Sequence, residues 1–296
     1  MGVVESWRNP PSPRPAARSL PPDARWPATG TESGIVLPTK LSRYARVDRL
    51  PCDPELDQWV EHYWSVAWDV GDSFPMVSRV VPHPVVHMTV ESGTEARFGF
   101  DMPAALVHGV ITGKFEVDVR GSGRVFGVRF RPGGFGAFTG ADVAEWTDRV
   151  ALLDADAFRD GILAEETDAE RAAIADGYLL GRVPEQDPLY DKVMRVVAGI
   201  VDDASLTSVD VVTNRFGIPE RTLQRLFNRY VGVSPKWVLR RYRLHDAMSY
   251  LDRGRTDLAD LAIDLGWSDQ SHFTNEFRDV VGMTPGEYVQ RAVPGN

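Results

Sequence analysis

Between residues 189 and 291, apolar positions recur every three to four residues, in runs separated by glycine, hydroxyl residues and proline. That spacing stacks the apolar side chains on one helix face. It predicts helices over 189–202, 209–215, 220–231, 235–252, 258–265, 270–281 and 285–291. Before residue 150 the pattern shifts to short runs rich in β-branched and aromatic residues. These predict strands over 77–81, 85–90, 107–113, 115–120 and 124–130. Between the last two, the glycine-rich stretch 118–123 predicts a hairpin turn. Leu56, Trp59, Val60 and Tyr63 stand at helical spacing and predict a helix over 55–64, and the alanine-rich stretch 150–181 also reads as helical.

These patterns divide the chain. Prolines crowd residues 1–38 and leave little to form a core, so a disordered arm is expected there. Residues 39–181 read as a β-rich domain with a helical end. Residues 182–188 read as a linker and 189–296 as an all-α domain. The expected fold class is α+β.

The helical half contains an internal repeat offset by 50 residues. Leu223 and Phe227 match Phe273 and Phe277. Gly232, Ser234 and Pro235 match Gly282, Thr284 and Pro285. Val209 and Val212 before Gly217 mirror Leu258 and Leu261 before Gly266, with a turn one residue longer in the second copy. Each copy reads helix, glycine turn, helix, glycine, hydroxyl residue and proline, which is the helix-turn-helix pattern. The pair four residues apart buries one face of the second helix and leaves its other face free. Ser234 and Thr284 cap helices that begin with proline, and Thr284 with Glu287 fits a capping box.

Net charge is −9 over the whole chain, an unpromising value for a DNA binder. Its distribution changes the picture. Residues 1–187 hold 19 basic and 28 acidic residues, whereas 188–296 hold 14 of each. From Arg215 to Arg255 there are ten basic residues against Glu220, Asp246 and Asp252. Because screening limits reach to about 8–10 Å, this local excess governs attraction to phosphate. The single cysteine, Cys52, rules out an intramolecular disulfide. No run approaches the ~20 apolar residues of a membrane helix. A cytoplasmic protein is expected.

Residues 190–292 resemble the AraC/XylS family of bacterial regulators. The resemblance is carried by 222–227, 232–235, 243–247, Leu251, Leu261, Ala262, 265–273, Phe277, Arg278 and 282–288. Thr213, Pro219 and Trp267 depart from the small alanine, capping serine and phenylalanine usual there. The resemblance implies a DNA-binding transcription regulator, often an activator, with two helix-turn-helix units joined by a linker helix. It makes Arg221, Gln224 and Arg225 the base-facing candidates of the first unit. Asn228 and Arg229 share that exposed face, Arg229 as a phosphate contact. The second unit offers Gln270, Ser271, His272, Thr274 and Asn275, which are shorter and uncharged at neutral pH. On the linker helix, Lys236, Arg240 and Arg241 are further candidates. The expected partners are double-stranded promoter DNA, RNA polymerase and a small-molecule effector, for a monomer or homodimer with no cofactor.

The stretches 59–68, 80–87 and 126–135 resemble the β-rich N-terminal domain of some AraC-type regulators, which implies a barrel-like regulatory or sensor domain over 39–181 that senses a small molecule or dimerises. Trp59, Trp64, His87 and Arg129 are the effector-binding candidates. His83, His87 and Glu91 share one strand face by spacing, but Pro82 and Pro84 break its regularity, so no metal is assigned. No nucleophile–base arrangement stands out, so no catalytic residue is assigned. Two alternatives remain: a regulator whose first half only dimerises, and a ligand-binding protein or enzyme with a helical dimerisation module.

Overall fold

The computed structural model describes residue 36 and residues 44–292. Six strands, β1 (Ala45–Leu50), β2 (Val60–Val80), β3 (His87–Gly93), β4 (Ala104–His108), β5 (Phe115–Phe130) and β6 (Val150–Leu152), form one sheet in the order β1-β2-β5-β3-β4-β6. Every pairing is antiparallel, and β1 and β6 are the edges, so the sheet curls without closing. The helices are α1 (Gly134–Thr139), α2 (Asp156–Ala164), α3 (Asp168–Leu180), α4 (Pro188–Asp202), α5 (Val209–Phe216), α6 (Glu220–Val231), α7 (Pro235–Asp252), α8 (Leu258–Asp264), α9 (Gln270–Val281) and α10 (Pro285–Ala292). The arm expected over 1–38 lies outside the described residues except at Val36. That residue is buried and donates its N–H to the Arg79 carbonyl at 2.9 Å.

The strands depart from the sequence reading in instructive ways. No helix spans 55–64. A 3-10 turn (Pro54–Leu56) runs into β2 at Val60. Leu56, Trp59, Val60 and Tyr63 are all buried, as a helical face would be, but the residues from Tyr63 to Trp68 pair with β1 and β5 at once. A ladder on both sides outweighs local spacing. Nor is there a hairpin at 118–123, because Phe115–Phe130 is a single strand paired with β2 along its length. The register shifts between Gly71 and Met76, with Gly71 and Gly121 at φ +62° and +55°. The glycines bend a long ribbon rather than ending it. The strands expected over 85–90 and 107–113 sit at 87–93 and 104–108.

Side chains alternate cleanly across this sheet. Tyr63, Met88, Val90, Phe126 and Val128 face the helices and join a core with Phe158, Ile162, Leu179 and Tyr190. The intervening residues His62, Trp64, Trp68, His87, Glu91 and Arg129 face a cavity on the other side. Trp64 and Trp68 lie over Gly127 and Gly123. A Cβ at either glycine would come within 2.3 and 2.4 Å of the respective indole, so larger residues there would displace both rings.

The helical elements follow the expected pattern closely. Ser208, Ser234 and Thr284 cap α5, α7 and α10, and the Thr284–Glu287 capping box is formed in both directions. Asp187 caps α4, whose Tyr190 hydroxyl donates to the Gln58 carbonyl at 2.8 Å. The large core runs unbroken from the sheet through α4 and the first repeat to Tyr242. A second core begins at Leu244 and holds the second repeat, together with Val36 and Val81.

Gly232 and Gly282, equivalent in the repeat, both adopt φ +83°. A Cβ at Gly232 would meet Thr147 Oγ1 at 2.8 Å and Val143 at 2.9 Å, whereas at Gly282 the nearest atom is Arg79 Nε at 3.5 Å. Gly282→Ala is expected to cost about 1–2 kcal/mol from the backbone conformation alone. Gly232→Ala is expected to cost roughly 1–3 kcal/mol more from overpacking. Urea unfolding of the two variants checks the order.

Candidate nucleic-acid interface

Two helix pairs, α5–α6 and α8–α9, repeat the same construction. In each, the second helix buries an apolar pair four residues apart, Leu223/Phe227 in α6 and Phe273/Phe277 in α9. The opposite face is left to solvent. On α6, Arg221, Gln224, Arg225, Asn228 and Arg229 are all exposed. Three arginines spaced by four make one positive stripe along this helix, and Gln224 is steadied by Glu220 Oε1 at 2.6 Å. On α9, Gln270, Ser271, His272 and Asn275 are exposed and Thr274 is half-buried. His272 Nδ1 lies 3.2 Å from the Ser268 hydroxyl, and Asn275 accepts from Arg278 at 3.0 Å. Arg278 is an exposed cation on this helix that was not among the candidates.

The two units start their second helices differently. Pro219 gives α6 no side-chain cap, and Thr213 spends its hydroxyl on the Asp210 carbonyl at 2.9 Å. Asp269 caps α9 by accepting from the His272 N–H at 2.7 Å. That backbone hydrogen bond holds its carboxyl below the usual range. The Asp269 charge is therefore directed into the helix N-terminus.

The linker helix α7 corrects part of the expected contact set. Lys236 is exposed. Arg240 is half-exposed but pairs with Glu276 at 2.8 Å. Arg241 is buried and unavailable to phosphate. Its guanidinium donates to the Pro82 carbonyl at 3.1 Å and the Thr112 carbonyl at 2.9 Å, and lies 4.4 Å from the Trp237 ring centre. Burial lowers it to about 10, so it stays charged at neutral pH. One turn on, His245 stacks on His83 at 3.8 Å. Arg243 ties the two units together through the Gly266 carbonyl at 2.9 Å and the Thr207 carbonyl at 3.0 Å.

The N-terminal cavity has a volume of about 230 Å³. Trp64, His87 and Arg129, three of the four effector candidates, line it. Trp59 does not; it sits in the turn before β2 and packs edge-on against Phe138 at 5.9 Å in the helix-facing core. His62, Trp68, Arg97, Phe98 and Phe115 line it too and were not among the effector candidates. Strand parity places His62, Trp68 and Phe115 there, whereas Arg97 and Phe98 come from the turn after β3. Arg131, two residues from Arg129, turns the other way and is held by Asp57 at 2.6 Å. His83, His87 and Glu91 do not converge. His83 stacks on His245, His87 accepts from Trp64 Nε1 at 3.1 Å, and Glu91 binds Arg97 at 2.6 Å and His108 at 2.9 Å.

Residues 48–151 match the family described as Domain of unknown function (DUF6597), and residues 212–291 match the one described as Helix-turn-helix domain. The HTH-type transcriptional activator RhaS of Pectobacterium carotovorum subsp. carotovorum (strain PC1) is 32% identical over 74 residues, 25% of this chain and 26% of that protein. RhaS of Escherichia coli O139:H28 (strain E24377A / ETEC) is 33% identical over 81 residues, 27% of this chain and 29% of that protein. The chain thus spans about a quarter to a third of the length of the curated relatives it matches. Among solved structures, a transcriptional regulator from Chromobacterium violaceum with an AraC-type DNA-binding domain is 28% identical. It covers 36% of this chain and 96% of its own, at a TM-score of 0.33. ToxT from Vibrio cholerae is 9% identical and covers 83% of this chain and 97% of its own, at a TM-score of 0.39.

Glu276 is the polar keystone of the second unit. It is buried, accepts from Trp267 Nε1 at 3.0 Å and pairs with Arg240. Glu276→Ala leaves the buried indole N–H unpaired, at an expected cost of about 1–3 kcal/mol. Urea unfolding followed by far-UV circular dichroism checks this, and unchanged stability contradicts it.

Proposed function

We propose that this chain, whose C-terminal half carries a helix-turn-helix domain of the AraC type, is a sequence-specific transcription regulator. The observation that carries this reading is the doubled unit. Two amphipathic helices, α6 and α9, each keep a polar face in solvent while aromatic and leucine side chains anchor the other face. The major groove admits such a helix, and base edges there carry a readable donor–acceptor code. Arg221 and Arg225 suit guanine O6/N7, and Gln224 suits adenine N6/N7. Arg229 and Lys236 suit phosphate, which positions the protein without reading sequence. On α9 the set Gln270, Ser271, His272, Thr274 and Asn275 reads with less charge, so the first unit supplies most of the affinity.

The same reading makes the N-terminal cavity an effector site and promoter-bound RNA polymerase a partner, in the cytoplasm. Pro82 and His83 form part of the cavity wall and also receive Arg241 and stack on His245 of α7. A ligand pressing on that wall therefore bears on the helix that joins the two reading units. This is the route by which occupancy alters the spacing of α6 and α9.

Arg225→Ala is expected to weaken binding to selected promoter DNA by about 1–3 kcal/mol, and by more than Asn275→Ala. Wild-type affinity should fall steeply with salt as phosphate contacts release counterions. Fluorescence-anisotropy titrations at several salt concentrations measure both. The reverse order of the two variants, or a salt-independent affinity, sinks the reading.

A further inference from the structure

The cavity has two polar ends, and they differ in how completely they are satisfied. At one end Glu91 is buried with its oxygens fully engaged. Oε1 accepts from His108 at 2.9 Å and Thr89 at 3.0 Å, and Oε2 from Arg97 at 2.6 Å. At the other end, Arg129 is joined by its cross-strand neighbours. His62 of β2 and His87 of β3 are both in register with it, so the three share one rung of the sheet on the cavity side. Arg129 spends Nε on Glu61 at 2.8 Å. Its Nη2, buried, has no hydrogen-bond partner among the described residues, and neither has either ring nitrogen of His83. Buried polar atoms left in this way are uncommon and ask for a partner.

The charge around Arg129 is also defined. Burial, then the Arg129 charge, brings His62 down to about 4. The same two causes hold His87 well below its ordinary value. Burial acts first on His83, followed by His245 and Arg129. At neutral pH all three rings are therefore uncharged, and His83 keeps one N–H donor and one acceptor. Glu61 already balances the Arg129 charge, but Arg129 Nη2 remains a charged N–H donor with no acceptor among the described residues.

Between the ends the walls are largely aromatic. Trp64 and Trp68 lie over the glycines of β5, and Phe98 and Phe115 line the cavity too, stacked at 6.1 Å and 8°. The Arg97 guanidinium lies 4.9 Å from the Trp68 ring centre and 5.5 Å from that of Phe98. An apolar cavity of about 150 Å³ holds one benzene, so this volume takes a body on the order of ten non-hydrogen atoms.

Resting on the reading of this cavity as the effector site, we propose that it binds a compact aromatic monocarboxylate. The carboxylate accepts from Arg129 Nη2 and from the His83 N–H, and the ring lies among Trp64, Trp68 and Phe98.

Isothermal titration of the full chain with benzoate, cinnamate and 2-naphthoate tests this, with cinnamamide as the neutral match and hexadecanoate as the long-chain anion. At least one aromatic acid is expected to saturate, and cinnamamide to bind about tenfold more weakly than cinnamate. Arg129→Gln alone strands Glu61 in a buried setting, so the informative variant is Arg129→Gln with Glu61→Gln. It is expected to lose about tenfold in acid affinity, with cinnamamide unaffected. Equal binding of acid and amide, saturation by hexadecanoate alone, no saturation by any aromatic acid up to about 5 mM, or full affinity in the double variant each overturns the proposal. Promoter binding by the same preparations is read separately. DNA binding without acid binding overturns this assignment only, and acid binding without DNA binding overturns the regulator reading only.

Discussion

Along β2 and β5, successive side chains go alternately to the helices and to the cavity, because a pleated strand has a period of two. Most of what this molecule has on offer depends on that parity. One residue of slip would carry Tyr63, Phe126 and Val128 out of the core and push Arg129 and Trp64 into it. The register is pinned by the glycines at 123 and 127, which accept the indoles of Trp68 and Trp64 where a Cβ would collide. It is pinned again by β3, whose His87 and Glu91 stand beside Arg129 and Val125. The cavity is therefore a by-product of how the core is packed, and its chemistry cannot be altered freely without disturbing the sheet.

The second organising feature is a buried cation. Arg241 leaves water to sit against two carbonyl groups of the N-terminal half and the face of Trp237. Desolvating an arginine costs several kcal/mol unless its donors are satisfied. Here Pro82, Thr112 and the indole share that task. The contact fixes α7 against the segment that walls the cavity, so the linker helix is as much part of the N-terminal half as of the helical half.

The helical half was legible nearly residue by residue. Ser208, Ser234 and Thr284 announce helix starts by chemistry that acts within four residues, and Gly232 and Gly282 announce ends in the same local way. The exposed faces of α6 and α9 followed from periodicity. The sheet was less legible because its determinants are distant. Helical spacing at Leu56, Trp59, Val60 and Tyr63 also satisfies a turn that enters a strand. Glycines at 121 and 123 look alike whether they close a hairpin or bend a ribbon. Arg241 reads as one more basic residue on a basic helix, and nothing near it in sequence reveals the carbonyls of Pro82 and Thr112. Trp64, His87 and Arg129 could be picked for their chemistry, but the rung that unites Arg129 with His62 and His87 needs three strands in register.

The apolar interior divides inside α7, between Tyr242 and Leu244, and not at the connection between α3 and α4. Proteins open in cooperative blocks that follow such divisions. α6 therefore belongs to the same block as the sheet, and its amides should exchange with deuterium only when the sheet itself opens. α9 rests on the smaller interior and is expected to open at lower cost, so the two copies of one repeat should differ in how long their amides stay protected from exchange.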